Sequence, residues 1–326
     1  MLQSQSLKSP HIASRLNAVR SEMAKHQLDA FIQPRADEYL GEYVPAHNER
    51  LHWLTDFTGS AGMAIVMKDS AAIFTDGRYT VQVRQQVDST LFSYESLTDM
   101  PQAQWLAEKL PAGCRVGYDP RLHTLAWQQD AEATLTKAGM TLVALDNNPV
   151  DLHWQDRPVP ENKPIILFNA ESAGKSSEQK RSEIGALVKK AGADVALIAA
   201  LDSFCWLLNI RGQDVPRLPV VLGCALLEAN GEMTLFTELA KLPQGIEAHV
   251  GAGVSFRAES ELAEALQALE GRKLLADPNN ANAFSQLQAK AAGAKLIAGL
   301  DPVALPKACK NSAELQGMRA SHIRDG

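Results

Sequence analysis

The chain has 326 residues, which at roughly 150 residues per domain allows about two domains. Hydrophobic residues make up 45% and charged residues 21% of it, a globular composition that excludes disordered and collagen-like chains. The net charge of -6 excludes the basic footprint typical of proteins that bind nucleic acid or anionic membranes. No apolar run reaches the roughly 18 residues of a membrane-spanning helix. We therefore expect neither nucleic acid nor a membrane as a partner.

Cysteine usage and the start of the chain predict the same compartment. The cysteines lie far apart and form no C-x-x-C pair, which favours buried, reduced thiols over a zinc site or a disulfide framework. They are Cys114, Cys205, Cys224 and Cys309. Residues 1–9 lack the hydrophobic core of a signal peptide. We expect a cytoplasmic protein.

Hydrophobic periodicity in the first half predicts helices alternating with strands. Four apolar side chains recur at helical spacing near the start and predict a first helix. They are Ile12, Leu16, Val19 and Met23. The other predicted elements of this half are strands over 28–32, 63–67, 71–75, 115–118 and 141–145 and helices over 79–87 and 122–137. This alternation is typical of an α/β fold.

Residues 147–164 differ in composition from the segments around them. They contain four prolines with acidic residues between them. Because proline removes an amide donor and fixes φ, the segment is unsuited to the interior of a sheet or helix. We expect a linker over 147–164, joining a first domain over 1–146 to a second domain over 165–305.

The second half repeats the pattern of the first. Its predicted elements are strands over 194–199, 219–228, 233–237 and 272–276 and helices over 184–191, 259–269 and 281–292. A Lys-x-x-x-Asp word leads from helix to strand in each half, at Lys25 and Lys190. A Trp-Leu word follows in each, beginning at Trp53 and Trp206, which we interpret as core anchors. Two units of about 150 residues indicate a duplicated domain, since solenoid repeats are 20–50 residues long.

The segment 169–176 resembles a phosphate-binding loop. Such a loop needs G-x-x-x-x-G-K-[ST] between a strand and a helix, so that backbone amides wrap the phosphates. Here Asn169 occupies the place of the first glycine. Ser176 followed by Gln179 is instead typical of a capping box at the start of a helix. We favour the helix start and keep a nucleotide-binding loop as the weaker alternative.

No pattern in the chain predicts a metal centre or a catalytic set. The eight histidines form no H-E-x-x-H or comparable zinc spacing. Asp119 and Asp130 stand eleven residues apart, a spacing that two-metal hydrolases use, but Asp130 falls within a predicted helix. No downstream histidine and glutamate pair completes such a set. We interpret Asp119 as a helix cap and Asp130 as a surface residue.

The most distinctive local word is the turn after the strand over 71–75. It contains Asp76, Arg78 and Tyr79 around a glycine. In one interpretation Asp76 caps the following helix and Tyr79 packs beneath it. In the other, Arg78 presents a fixed guanidinium to a peptide carboxylate or to a partner subunit. We favour the first interpretation and keep all three residues as candidate contacts.

The last segment, 306–326, begins a helix with Asn311 as its N-cap and Glu314 at the third position. Leu315, Met318 and His322 continue one face of this helix. No later element is present to pack on that face. We therefore expect 306–326 to be the start of a third domain and the chain to be a truncated fragment.

Taken together, motifs along nearly the whole chain resemble the long, three-domain Xaa-Pro aminopeptidases of the creatinase/prolidase-like metallopeptidase family. The motifs lie at 48–50, 57–62, 74–79 and 154–158 in the first half, and at 200–202, 206–212, 214–215, 307–311, 314–319 and 322–323 in the second.

The resemblance implies two tandem, duplicated creatinase/prolidase N-terminal-type domains, each a mixed sheet flanked by helices. In the family they precede a catalytic domain of pita-bread architecture. That domain would hold two divalent metals, usually manganese, on two aspartates, one histidine and two glutamates. It would release an N-terminal residue that precedes proline. None of those ligands has a matching position in this chain, so we expect no cofactor here.

We therefore expect the non-catalytic N-terminal part of a cytoplasmic Xaa-Pro aminopeptidase, inactive alone. Its expected roles are homodimerisation and shaping of the active-site entrance for peptides with proline at the second position. Asp76, Arg78 and Tyr79 are the candidate entrance or partner contacts. The alternative is a stand-alone binding module with the same fold and no catalytic domain. A P-loop nucleotide-binding protein is the weaker third possibility.

Overall fold

The structure, a computed structural model, describes residues 10–326. Its contacts divide the chain into two compact units. The first unit comprises the chain up to Glu38 together with Val44–Val159, and the second comprises Tyr39–Tyr43 together with Pro160–Gly326. The interpretation of residues 1–9 lies outside the described part of the chain. The domain boundaries expected from the sequence stay a prediction.

The first unit is a six-stranded mixed sheet with helices on its faces. Its strands are β1 (Ala30–Pro34), β2 (Gly62–Met67), β3 (Ala71–Thr75), β4 (Ser93–Ser96), β5 (Arg115–Tyr118) and β6 (Thr141–Ala144). Its helices are α1 (Pro10–Lys25), α2 (Arg50–Thr55), α3 (Thr80–Gln86), α4 (Gln102–Lys109) and α5 (Leu125–Lys137). The strand order is β4-β3-β2-β1-β5-β6. β2 is antiparallel to both of its neighbours, and the other pairs are parallel.

The second unit contains a six-stranded sheet and a separate two-stranded one. Its strands are β7 (Ile166–Leu167), β8 (Val195–Ile198), β9 (Ile210–Arg211), β10 (Cys224–Glu228), β11 (Met233–Phe236), β12 (Val254–Arg257), β13 (Lys273–Ala276) and β14 (Lys295–Ala298). Its helices are α6 (Ala170–Ala173), α7 (Ser177–Lys190), α8 (Leu201–Leu208), α9 (Ile246–Val250), α10 (Leu262–Gln267), α11 (Ala283–Ala291), α12 (Ala304–Ala308) and α13 (Ser312–Asp325). The large sheet has the order β12-β11-β10-β8-β13-β14, and β7 pairs with β9.

The two large sheets share one topology. In the second, β10 is antiparallel to both of its neighbours, and the other pairs are parallel. This is the order and the set of directions found in the first unit. The predicted α/β fold of two duplicated domains, each a mixed sheet flanked by helices, is therefore confirmed.

Each large sheet is covered on both faces, which explains its nearly continuous apolar strands. In the first unit β1 and β3 are buried along their whole length. The apolar stripe predicted for the first helix is buried against one face of this sheet. Its members Ile12, Leu16, Val19 and Met23 are at most 3% exposed. Trp105 of α4 and Leu135 of α5 contribute to the core on the other face.

One predicted strand is shorter than expected. The apolar run over 219–228 forms a strand only from Cys224 onward. Gly223 has a φ of +153°, and a Cβ atom there would lie 2.3 Å from the carbonyl oxygen of Phe236. The chain therefore needs glycine at the residue that precedes this strand.

The four cysteines carry free thiols. Cys205 is buried, whereas Cys309 is exposed. The expectation that the thiols are buried is therefore wrong for Cys309. Among residues 10–326, no helix combines the length and the apolarity needed to cross a bilayer.

A buried guanidinium fixes part of the segment over 147–159 onto the first unit. The Arg50 side chain is 2% exposed. It donates to Glu38 at 2.5 Å and, through two nitrogens, to Asp151 at 2.7 and 2.9 Å. Because two carboxylates converge on one planar cation, the start of α2 and this segment are held together.

Replacing Arg50 with Met is expected to lower the free energy of unfolding by about 3 kcal/mol, because Glu38 and Asp151 then face each other without their shared cation. The measurement is urea unfolding followed by circular dichroism. Arg115→Met, at an exposed position of β5, is the matched control, and we expect a change within about 0.5 kcal/mol for it. Equal losses of unfolding free energy in the two variants would contradict the role of Arg50 in holding α2 and this segment together.

Candidate functional site

The turn after β3 brings together the three residues predicted from the sequence. Asp76 caps a short 3-10 turn over Gly77–Tyr79, and its Oδ1 accepts a hydrogen bond from the Arg78 amide at 2.9 Å. The capping interpretation is therefore confirmed. The Arg78 side chain is 67% exposed and pairs with the Asp76 carboxylate at 2.7 Å. Hydrogen bonds from the Arg78 side chain, followed by its amide, hold the pKa of Asp76 below its usual value.

Tyr79 fixes this turn on the loop that precedes β2. Its ring meets Phe57 edge-on at 5.7 Å between centroids, and its hydroxyl lies 2.6 Å from the Ser60 Oγ. A Cβ atom at Gly59 would lie 2.2 Å from the Phe57 ring, so only glycine fits there. The result is a rigid exposed turn that presents Arg78. Its role as an entrance or partner contact stays a prediction.

The segment 169–176 does not form a phosphate cradle. Asn169 caps the short helix α6, where its Oδ1 accepts a hydrogen bond from the Ser172 amide at 2.7 Å. Asn311 approaches the same loop and donates to the carbonyl oxygen of Ala173 at 2.9 Å. Lys175 pairs with Glu183 at 2.7 Å. This geometry does not support the nucleotide-binding alternative.

The capping boxes predicted at two helix starts are confirmed. Ser176 and Gln179 exchange hydrogen bonds at the start of α7. Asn311 and Glu314 do the same at the start of α13.

The two aspartates with metal-like spacing lie in different environments. Asp119 is 2% exposed at the end of β5, where it accepts hydrogen bonds from the Arg121 amide at 3.0 Å and from Asn148 at 3.2 Å. Its burial raises the pKa of Asp119. Thr124 caps α5, so the interpretation of Asp119 as a helix cap is wrong. Asp130 lies on the exposed face of α5, as expected.

Within residues 10–326, no group of three or more histidine, cysteine or acidic side chains is arranged to hold a metal ion. The residues described here therefore do not fit the pair of metals that the family resemblance implies. No chemical step of this chain is assigned to a metal.

The second unit contains a groove of about 970 Å³. It lies where α13 passes α6 and α8, and Lys180, Trp206 and Glu314 line it. Lys180, on α7, is 1% exposed. Its Nζ donates to the Trp206 carbonyl oxygen at 3.1 Å and to the Asn209 Oδ1 at 2.8 Å, and it lies 4.0 Å from the centroid of the Trp206 ring.

Trp206 connects this ammonium to α13. Its Nε1 donates to the Glu314 Oε1 at 2.8 Å. Burial lowers the pKa of Lys180 to about 8, and the positive charges of Arg211 and Lys175 add to the effect while Glu314 opposes it. The groove is therefore lined in part by an ammonium group whose pKa is lowered by burial toward neutral pH.

The first unit contains a related arrangement with a partly exposed cation. Arg15, on α1, donates to the Trp53 carbonyl oxygen at 2.7 Å, and its guanidinium carbon lies 4.9 Å from the centroid of the Trp53 ring. It also approaches the Asp56 carboxylate at 3.9 Å. Asp56 and Asn209 end α2 and α8 with positive φ angles of 62° and 52°. We name each arrangement a cation–tryptophan pair.

Sequence reasoning interpreted both tryptophans as core anchors and overlooked their cations. Trp53 is 6% exposed, as expected of a core residue. Trp206 packs against the core but also lines the groove, so its interpretation holds only in part. A signal was present, because Arg15 and Lys180 each lie ten residues before the lysine of the repeated Lys-x-x-x-Asp word.

The pH dependence of stability is expected to report the burial of Lys180. Its folded-state pKa of about 8 lies below the ordinary value of 10.5. Between these values the unfolded chain binds more protons, so stability rises with pH in this window. Lys180→Met removes the effect, and the free energy of unfolding of the native chain relative to this variant is expected to rise between pH 8 and 10.5.

The measurement is urea unfolding at a series of pH values. Lys189→Met, at an exposed position of α7, is the control, and its curve should run parallel to that of the native chain. If the curve of unfolding free energy against pH for Lys180→Met also runs parallel to that of the native chain, the Lys180 ammonium is not desolvated.

Comparison with known proteins gives a consistent set of matches. The family profile described as Creatinase/Prolidase N-terminal domain matches residues 15–152, and a second profile of the same description matches residues 156–314. A relative from Paracoccidioides lutzii, described as a probable Xaa-Pro aminopeptidase P, is 33% identical to this chain. The match covers 96% of this chain and 53% of the relative's length. A relative from Aspergillus niger with the same description is 35% identical over the same shares.

Among solved structures, the X-prolyl aminopeptidase of Caenorhabditis elegans superposes with a TM-score of 0.89 at 27% identity. The match covers 97% of this chain and 54% of that one. That protein is described as a cytosolic enzyme with a di-nuclear active site. The present chain spans about half the length of the curated relatives it matches.

Proposed function

The chain belongs to the creatinase/prolidase N-terminal domain family, whose domain it contains twice, and we propose that it forms the non-catalytic N-terminal part of a cytoplasmic Xaa-Pro aminopeptidase. The observation that carries the proposal is the superposition of 97% of this chain on part of an X-prolyl aminopeptidase. In this proposal residues 306–326 lead into the catalytic part. That part would supply two divalent metals, manganese by expectation, and would act on peptides with proline at the second position.

The proposed work of the two units is to dimerise and to shape the entrance of the active site. Support for this comes from the turn over Asp76–Tyr79, which holds a largely exposed guanidinium in a fixed place. A preorganised arginine loses little freedom when it pairs with a carboxylate on a partner. The turn is therefore suited to a contact with a partner subunit or with an approaching peptide.

The 326-residue chain is expected to show no Xaa-Pro cleavage when manganese is added, because in the proposal the metal ligands belong to the catalytic part. The measurement is release of the first residue from a peptide with proline at the second position. The Caenorhabditis elegans enzyme under the same conditions is the positive control. Metal-dependent turnover by the chain would overturn the non-catalytic assignment.

The self-association of the chain is expected to depend on Arg78. Arg78→Gln removes the exposed guanidinium, and an arginine at the centre of an interface commonly contributes enough for its loss to weaken a dimer by about tenfold or more. Sedimentation velocity over a concentration series measures the dissociation constant. Lys137→Gln, at an exposed position of α5, is the control and should leave it unchanged. A chain that stays monomeric, or a dimer that is insensitive to Arg78→Gln, would contradict this role.

A further inference from the structure

We propose that the groove of the second unit binds the C-terminal carboxylate of a short peptide through the guanidinium of Arg211. The proposal goes beyond the function assigned above, because it gives direct ligand binding to a unit whose proposed work is dimerisation and entrance shaping. It is tested on this chain alone, so its outcome does not depend on whether a catalytic part exists.

Arg211 is held in a geometry suited to a carboxylate. It lies on β9, and its guanidinium carbon is 4.4 Å from the centroid of the Phe168 ring. One nitrogen donates to the Ile210 carbonyl oxygen at 2.9 Å, which fixes the orientation of the guanidinium plane. A planar guanidinium offers parallel N–H groups, and carboxylates accept such groups in pairs.

The charges of the groove are complementary to an anion. Among the described residues, no acidic side chain forms an ion pair with Arg211, Lys310 or Arg324, all of which line it. Five basic residues line the groove against three acidic ones, and two of the three acidic residues already have partners, the exposed Glu171 being the third. Asp202 pairs with Lys307, and Glu314 accepts hydrogen bonds from Trp206 and from the amide of Asn311.

Lys180 adds a further positive charge beneath this surface. Its ammonium is buried and its hydrogen bonds are directed to Trp206 and Asn209, so it acts on a ligand through its field. A buried charge is screened less than an exposed one, which strengthens its attraction for an anion in the groove.

The walls of the groove favour a peptide over a phosphate compound. They include the half-buried Trp206 ring, Val220 and the thioether of Met318, which suit apolar side chains. Phosphate groups are typically bound by converging backbone amides at a glycine-rich loop. Here that loop is a capped helix whose end is covered by Asn311. A carboxylate followed by apolar side chains matches both the charge and the walls.

The test is isothermal titration of the full chain, at low ionic strength, with trileucine as the free acid and as its C-terminal amide. The free acid is expected to bind, and the amide to bind at least about tenfold more weakly, since a charge-assisted pair is lost. Arg211→Met should weaken binding of the free acid by a similar factor. Arg211→Lys keeps the charge without the planar fork and should give a smaller loss.

Arg319→Met is the matched control, because this exposed arginine of α13 lies outside the groove lining. It should leave binding unchanged, and circular dichroism checks that each variant is folded. Equal affinity for the acid and the amide would overturn the proposal, as would binding that is unaffected by Arg211→Met. Inorganic phosphate that competes with an affinity equal to that of trileucine would also overturn it, by showing a general anion site in place of a peptide site.

Discussion

The cation–tryptophan pair of Lys180 and Trp206 is the interaction on which the second unit of the structure depends. A buried cation is unfavourable unless carbonyl oxygens and an aromatic face replace its water. Lys180 obtains both from Trp206, together with an amide oxygen from Asn209. Because Asn209 must reach back toward the ammonium, α8 ends there with a left-handed residue, a conformation that asparagine tolerates well. The pair thus fixes where α7 lies on α8 and where α8 ends.

The two cation–tryptophan pairs differ in their cation and in the side chain that contacts the tryptophan ring. The pKa of the cation and the size of the adjoining concavity differ accordingly. The first copy uses the guanidinium of Arg15, whereas the second uses the ammonium of Lys180, whose pKa burial lowers to about 8. In the first unit Trp154 packs on Trp53 at 6.1 Å between ring centroids, and the adjoining surface encloses about 420 Å³. In the second unit Glu314 holds the edge of Trp206, and the groove beside it is about 970 Å³. In this duplicated scaffold, the groove beside Trp206 is therefore larger than the concavity beside Trp53.

Strong local signals made much of the fold predictable from the sequence. The stripe of α1, the strands β2 and β3 and both capping boxes depend on short-range patterns, and the duplication depends on words repeated in the two halves. Short or polar elements such as β4, with the sequence Ser-Tyr-Glu-Ser, lack periodicity and were not predicted. The site was less predictable, because Lys180 lies on a helix rich in charged residues and only tertiary contacts bury it. Asp76, Arg78 and Tyr79 were found from the sequence, since a turn is a local structure and Asp76 pairs with Arg78 within it. The partners of Tyr79, which are Phe57 and Ser60, are not local.

A double-mutant cycle between Lys180 and Trp206 tests the central claim most directly. Lys180→Met, Trp206→Leu and the double variant are compared with the native chain by urea unfolding. The hydrogen bond to the carbonyl oxygen of residue 206 persists in Trp206→Leu, so the cycle isolates the contact between the ammonium and the ring. The account predicts a coupling of about 1–2 kcal/mol, the size expected for a desolvated cation on an indole face. Effects that add within about 0.3 kcal/mol would contradict it.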